Sequence, residues 1–273
     1  MKVVTLVENT VGKEGLEAQH GISLYIETKK HKVLVDVGAD GLFLRNAKKL
    51  GVDISQVDTV VITHGHSDHG GGMKYFLQEN SKAKVYIRDN ALVPHYTKLF
   101  AIPIQVGLDS KDYESKQVIQ TGELHTIDDE LTLFSNVSER ELYSSSNRNL
   151  YAKESGKIVK DEFSHEQNLL ISCNGKQYLI GGCGHSGAVN ILERAVKLSG
   201  CNIDVMITGL HIMRNLFIKG PGEEFNVELA KRLKQYPTQF YTLHCTGKPA
   251  YEQMKQVMGD QMKYLSTGDQ IQL

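Results

Sequence analysis

Thr63-His64-Gly65-His66-Ser67-Asp68-His69-Gly70-Gly71-Gly72 places three imidazoles and a carboxylate within six residues, directly after the apolar run Thr59-Val60-Val61-Ile62. That run reads as a buried strand, so the cluster falls at a strand's carboxyl end, where α/β folds place their chemistry. In an extended loop, His64, His66 and Asp68 lie two apart and point one way, while His69 turns off that line toward a neighbouring ion. One loop can therefore serve two ions. Neutral imidazole and carboxylate suit zinc, with manganese or iron as alternatives. The three glycines let the backbone turn tightly before a helix begins. The competing reading, exposed or core histidines without metal, does not account for this density.

Outward from that loop, 273 residues with 40% hydrophobic content bury a substantial core. Lys plus Arg at 31 against Asp plus Glu at 32 leaves no overall field for nucleic acid or an anionic membrane surface. The expected partner is a small molecule, and composition does not fix the oligomeric state. The amino-terminal apolar stretch is too short for a signal sequence and no segment is long enough to span a bilayer, so a cytoplasmic protein is expected. Cys173, Cys183, Cys201 and Cys245 form no CxxC pair and are too sparse for a disulfide scaffold.

Apolar runs alternate with amphipathic stretches throughout, which predicts sheets covered by helices. Strands are expected over 2–7, 21–27, 32–37, 59–63, 84–88, 131–135, 168–173, 177–181, 204–208, 239–243 and 263–265. Helices are expected over 41–50, 73–78, 188–198, 227–236 and 249–258. Residues 138–161 are rich in Ser, Asn, Lys and Glu and hold no lasting period, so they read as an insertion, either a surface excursion or a lid. No repeat or linker marks a boundary, and one domain over 1–273 is the simplest organisation.

Three later segments repeat one grammar, a strand that delivers a histidine near glycine. Gly182-Cys183-Gly184-His185-Ser186-Gly187 follows the strand ending at Gly181, and His185 is expected to face the same edge as His66. Leu243-His244-Cys245-Thr246-Gly247 makes His244 the next ligand, and Gly209-Leu210-His211 offers a substrate contact or an acid. Taken singly, each reads first as a structural histidine bonded to backbone, and it is the threefold repeat of strand, histidine and glycine turn that argues against that reading. Asp36, at the end of its strand, is either a turn residue or a carboxylate that holds a metal-bound imidazole from behind. Cys183 is either a thiolate ligand or a small buried thiol, and Cys245 reads as structural.

These motifs resemble the metallo-β-lactamase superfamily, whose HxHxDH signature corresponds to His64, His66, Asp68 and His69. The later motifs, with Glu166-Gln167 before a strand and His20-Gly21, are similar to a narrower branch, the dihydropterin-ribofuranosylaminobenzene 5′-phosphate synthases of methanopterin biosynthesis. The resemblance implies an α/β fold of the four-layer αββα sandwich type with a metal site at the sheet edge. It implies His64, His66 and His185 on one ion and Asp68, His69 and His244 on a second, with Asp68 alternatively accepting a proton and His211 steadying charge. This chain carries Cys183 where the wider superfamily supplies a bridging aspartate. The activity implied is that of a hydrolase or transferase, using two divalent ions, on a phosphorylated small molecule such as a pterin. A phosphodiesterase or lactonase, and a non-catalytic metal-bound redox or sensing module, are the alternatives.

Overall fold

Val4 and Leu6, Leu34, Val60 and Ile62, and Val85 and Ile87 take every second position along four strands and are buried with Leu42, Phe43, Ala47, Met73 and Phe76 of two helices. Val33, Val35 and Val61, on the opposite face, are fully buried as well. Strands buried on both faces read as continuous apolar runs, which is why these segments stand out in the sequence. The computed structural model describes residues 1–99, 102–214 and 220–273. The chain divides into two compact units: Met1–Glu123 with Asn149–Gln167 and Ser266–Leu273, and Leu124–Arg148 with Asn168–Leu265.

The first unit holds a seven-stranded sheet in the order Gln270–Gln272, Lys2–Val7, Ser23–Glu27, Lys32–Val35, Thr59–Ile62, Lys84–Arg88, Val118–Thr121. Pairing is antiparallel as far as Lys32–Val35 and parallel beyond it. Helix Leu42–Leu50 ends at Gly51, whose φ of 72° gives the left-handed cap that only glycine adopts cheaply. A second, four-stranded antiparallel sheet runs Lys157–Lys160, Leu150–Glu154, His95–Leu99, Ile102–Gln105.

The second unit holds another seven-stranded sheet: Met262–Tyr264, Gln239–Thr242, Val205–Thr208, Lys176–Ile180, Gln167–Cys173, Leu131–Ser135, Leu124–Thr126. Its first four strands are parallel. Leu179, Met206, Phe240 and Met262 are buried with Ile191, Leu192 and Ala195 of Ala188–Ser199, Leu229 and Leu233 of Glu223–Leu233, and Met254 of Lys248–Met258. Among the described residues no helix is long and apolar enough to cross a membrane.

Differences from the sequence expectation have local causes. Residues 138–161 are not without structure: Ser145–Asn149 is a 3-10 turn and Leu150–Glu154 and Lys157–Lys160 form a hairpin. Its tip, Ser155-Gly156, has φ of 47° and 82°, a two-residue turn with both central residues left-handed. The hairpin strands are largely exposed, so they carry polar residues and hide their period. His95–Leu99, Ile102–Gln105 and Val118–Thr121 also escape the pattern; Ile102–Gln105 is an exposed edge containing Pro103. The helix expected over 227–236 runs instead over Glu223–Leu233, because Gly222 caps it and Glu223 and Glu224 suit its positive end. Asn226, just ahead of the expected span, is buried inside the helix and donates to Gln253.

Gln167 closes the end of the first unit's sheet. Its Nε2 donates to the carbonyls of Ile62 and Tyr86 at 2.8 and 3.1 Å, its Oε1 accepts from Thr121, and its N–H donates to Thr63 O. Each buried group left without a partner costs about 1–3 kcal/mol. Gln167→Leu is therefore expected to lower unfolding free energy by about 2–4 kcal/mol in urea titration.

Candidate metal centre

The strand Thr59–Ile62 delivers Thr63, whose N–H and hydroxyl both donate to Asp36, at 2.8 and 2.7 Å. Asp36 follows Lys32–Val35, is fully buried, and has a φ of 58°, which aims its carboxylate along the sheet edge. The same carboxylate lies 2.6 Å from Nδ1 of His69. His69 Nδ1 must carry the proton in that bond, which leaves the lone pair on Nε2. Thr63 spends its single proton on Asp36, so it accepts from His64 Nδ1 at 3.1 Å and sets the same tautomer there. The two rings stand 4.0 Å apart, and His64 and His66 4.6 Å apart, centroid to centroid.

The loop is not extended beyond His66, contrary to the spacing argument. His66 has φ −97° and ψ 145° and leads into a helical turn, Ser67–Gly70, so the two-residue period stops there. The turn brings His69 back beside His64, while Asp68 faces His20: Asp68 Oδ2 is 3.3 Å from His20 Nε2 and 3.8 Å from His69 Nε2. Glycines make the turn feasible. A Cβ at Gly72 would strike the Val37 and Asp40 carbonyls, and one at Gly65 would strike the Ala91 carbonyl and the His95 ring.

A second group of buried side chains adjoins the loop that sequence reasoning does not find. Asp161 Oδ2 is 3.0 Å from His95 Nδ1 and 3.1 Å from His165 Nε2, and His165 Nδ1 accepts the Gly65 N–H at 3.0 Å. Burial disfavours charge on Asp161, but the hydrogen bonds from His165 and His95 outweigh it and hold the carboxyl well below the usual carboxylate range. Burial pushes His165 down, and burial with the neighbouring His165 imidazole pushes His66 well below its ordinary value. The Asp161-His165 pair four residues apart is the only sequence signal, and it lies in and just beyond the stretch read as an insertion.

In the second unit, His185 sits on the loop between Lys176–Ile180 and Ala188–Ser199. Its Nδ1 lies 2.9 Å from Asn147 Oδ1, and Asn147 Nδ2 donates to His185 O at 2.8 Å, which fixes the amide orientation. The carbonyl can only accept, so this imidazole too carries its lone pair on Nε2. His211 lies 4.1 Å from His185, ring to ring. Its Nδ1 is buried without a hydrogen-bond partner among the described residues. His244 follows Gln239–Thr242 with a φ of 51°, and His211 has a φ of 49°. Strained left-handed backbone at non-glycine residues gathers at functional sites.

Cys183 and Cys245 are both buried, and they offer sulfurs within 4.8 Å of a His211 nitrogen. Burial opposes ionisation of Cys245, yet its hydrogen bonds with Cys183 and His211 and the neighbouring His244 and His211 imidazoles hold the thiol well below its ordinary range. The donor chemistry fits a borderline divalent ion: the buried imidazoles of His64, His69 and His185 each have Nδ1 held from behind, by Thr63, Asp36 and Asn147.

The sequence description of the metallo-beta-lactamase superfamily matches residues 19–135, which include the whole histidine loop. An uncharacterised protein of Methanocaldococcus jannaschii is 30% identical, over 92% of this chain and 93% of its own length. The chain belongs to the metallo-beta-lactamase superfamily. Members of this superfamily are generally metal-dependent hydrolases that hold divalent cations. The 7,8-dihydropterin-6-methyl-4-(beta-D-ribofuranosyl)-aminobenzene-5'-phosphate synthase of the same archaeon is 24% identical, over 98% of this chain and 95% of its own. Among solved structures, a metal-dependent hydrolase of the beta-lactamase superfamily superposes with a TM-score of 0.82 at 24% identity, covering 100% of this chain and 99% of that one. That likeness shows the metallo-β-lactamase fold, of the αββα sandwich class.

Metal-ligating imidazoles depend on the groups behind them, and losing such a group typically costs 10–100-fold in metal affinity. Asp36→Asn is expected to weaken zinc binding by roughly that factor in competition titrations with a chromophoric chelator. For pH, the sign follows from His165. Its folded value lies below its ordinary 6.5, so the unfolded chain binds protons that the folded one refuses as pH falls. The metal-free protein is expected to lose stability from about pH 6.5 downward, read as a falling urea midpoint between neutral and mildly acidic buffer.

Proposed function

We propose that this protein is a metal-dependent enzyme that cleaves or transfers a phosphate-linked bond of a small molecule, with a phosphorylated pterin as the leading substrate class. The observation that carries the reading is the set of buried imidazoles, His64, His69 and His185, whose Nδ1 atoms are engaged by Thr63, Asp36 and Asn147. That is how ligating histidines are held, and it is wasteful for histidines that only pack. Near-full-length similarity to an enzyme named for a pterin-phosphate product supports the substrate class.

Following the signature, His64, His66 and His185 would hold one cation and Asp68, His69 and His244 a second, zinc foremost and manganese or iron as alternatives. A cation pair bound there supplies Lewis acidity, which polarises an electrophile, makes water nucleophilic near neutral pH and neutralises a leaving oxygen. The chain supplies the rest. Asp36 and Thr63 keep His69 and His64 in one tautomer and orientation. Asp68, with a quarter of its side chain exposed, is suited to take a proton, and His20 at 3.3 Å to pass it to solvent. His211, whose buried Nδ1 has no hydrogen-bond partner among the described residues, is suited to face charge developing on the substrate.

The test is a panel of pterin phosphates, simple phosphodiesters and lactones, assayed with metal content measured in parallel. Turnover of a phosphorylated pterin is expected, abolished by chelation and recovered on adding zinc or manganese. Turnover confined to lactones, or an undiminished rate after complete metal removal, would overturn the reading.

A further inference from the structure

We propose that Cys183 and Cys245 form a reversible dithiol–disulfide pair, closed by a peroxide, and that closing it weakens the hold of His185 and His244 on a cation. The effect on the cation rests on the reading of those histidines as ligands; the disulfide itself does not. Both cysteines belong to the second unit and stand 62 residues apart in sequence. Their sulfurs lie within 4.8 Å of each other. Both residues are buried, at 3% and 5% exposure, and neither is in a disulfide.

The fold explains why the two sulfurs meet. The parallel strands Lys176–Ile180, Val205–Thr208 and Gln239–Thr242 release the chain at one sheet end. Cys183 follows the first of them at the same interval as Cys245 follows the third. The strand between continues as Gly209, where a Cβ would strike Cys245 Sγ and stand 3.3 Å from Cys183 Cα. Any side chain at that position would part the cysteines. Cys245 Sγ accepts the His211 N–H at 3.2 Å, and its thiol points to Cys183 O at 3.4 Å. A sulfur–sulfur bond is about 2.05 Å long, so closing it needs an approach of less than about 3 Å.

Two thiols packed as small apolar groups is the competing reading. It leaves His211 without a purpose beside them. That imidazole offers a nitrogen within 4.8 Å of both sulfurs, and the residue is only half-buried, which gives a small oxidant and a proton a route to the pair. In the first step the Cys245 sulfur attacks one oxygen of hydrogen peroxide or a similar peroxide and the O–O bond breaks. The thiol proton passes by way of His211 to the departing oxygen, giving a sulfenic acid and water. The Cys183 sulfur then attacks the sulfenic sulfur, an S–S bond replaces the S–O bond, and a second water leaves with the Cys183 proton. The two thiols lose two electrons, and one peroxide becomes two waters.

Cys183 lies two residues before His185, and Cys245 directly follows His244. Drawing the sulfurs together therefore moves both ligand-bearing segments, and a coordination shell tolerates misplacement of only about 0.5 Å. The experiment uses the full zinc-loaded chain carrying Cys173→Ser and Cys201→Ser, which leaves this pair alone. Hydrogen peroxide is expected to remove two hydrogens by intact mass and to link the peptides carrying Cys183 and Cys245 in a non-reducing digest. Zinc affinity is expected to fall about tenfold, and dithiothreitol to reverse all three changes. Oxygen added to one cysteine without linkage, or two unmodified thiols after excess peroxide, overturns the pair. Linked peptides with unchanged zinc affinity overturn its effect on the cation. If Cys173→Ser does not fold, the Cys201→Ser protein takes the same digest, and a Cys183–Cys245 link supports the pair while its absence overturns it. Failure of the ligand reading shows separately, as zinc affinity in the reduced protein that His185→Ala leaves unchanged.

Discussion

A fully buried carboxylate must be paid for by hydrogen bonds, and Asp36 obtains three: from the Thr63 N–H, the Thr63 hydroxyl and His69 Nδ1. Much of the first unit's histidine-bearing edge follows from that requirement. The strand Lys32–Val35 must end where Asp36 can reach Thr63, and Thr59–Ile62 must end where Thr63 can answer. Satisfying the carboxylate fixes the tautomers of His69 and, through the Thr63 proton, of His64. One buried charge thereby orients two imidazoles that are five residues apart in sequence.

The second unit uses the same device in a neutral form. Asn147 fixes His185 through an amide oxygen and locks itself by donating to the His185 backbone. A carboxylate partner raises the basicity of a ligating imidazole more than an amide does, because it bears a full charge. His69 and His185 therefore differ in donor strength even though both would coordinate through Nε2.

How much of this is legible in the sequence depends on burial. Lys2–Val7, Lys84–Arg88 and Leu131–Ser135 match the expected spans because strands buried on two faces leave unbroken apolar runs. The edge strands and the Leu150–Glu154 hairpin do not announce themselves, since half-exposed strands are written in polar residues. The histidine loop is legible by density alone, whereas the turn at Ser67–Gly70 that redirects Asp68 toward His20 is not. His95, Asp161 and His165 are separated by up to 70 residues and carry no motif; only the folded chain brings them within hydrogen-bond distance. Asn147 sits in a serine-rich stretch where nothing distinguishes it from a solvated side chain.

Gly65 stands between two histidines whose spacing defines the loop, and it has no room for a side chain. Every single-base change of a glycine codon that alters the residue adds a side chain or ends the chain, so this position is closed to neutral drift. Adaptation of the loop toward a different ion or substrate is thereby channelled away from its own backbone. It falls to the groups that hold the rings from behind, where an exchange such as carboxylate for amide changes donor strength without moving the peptide.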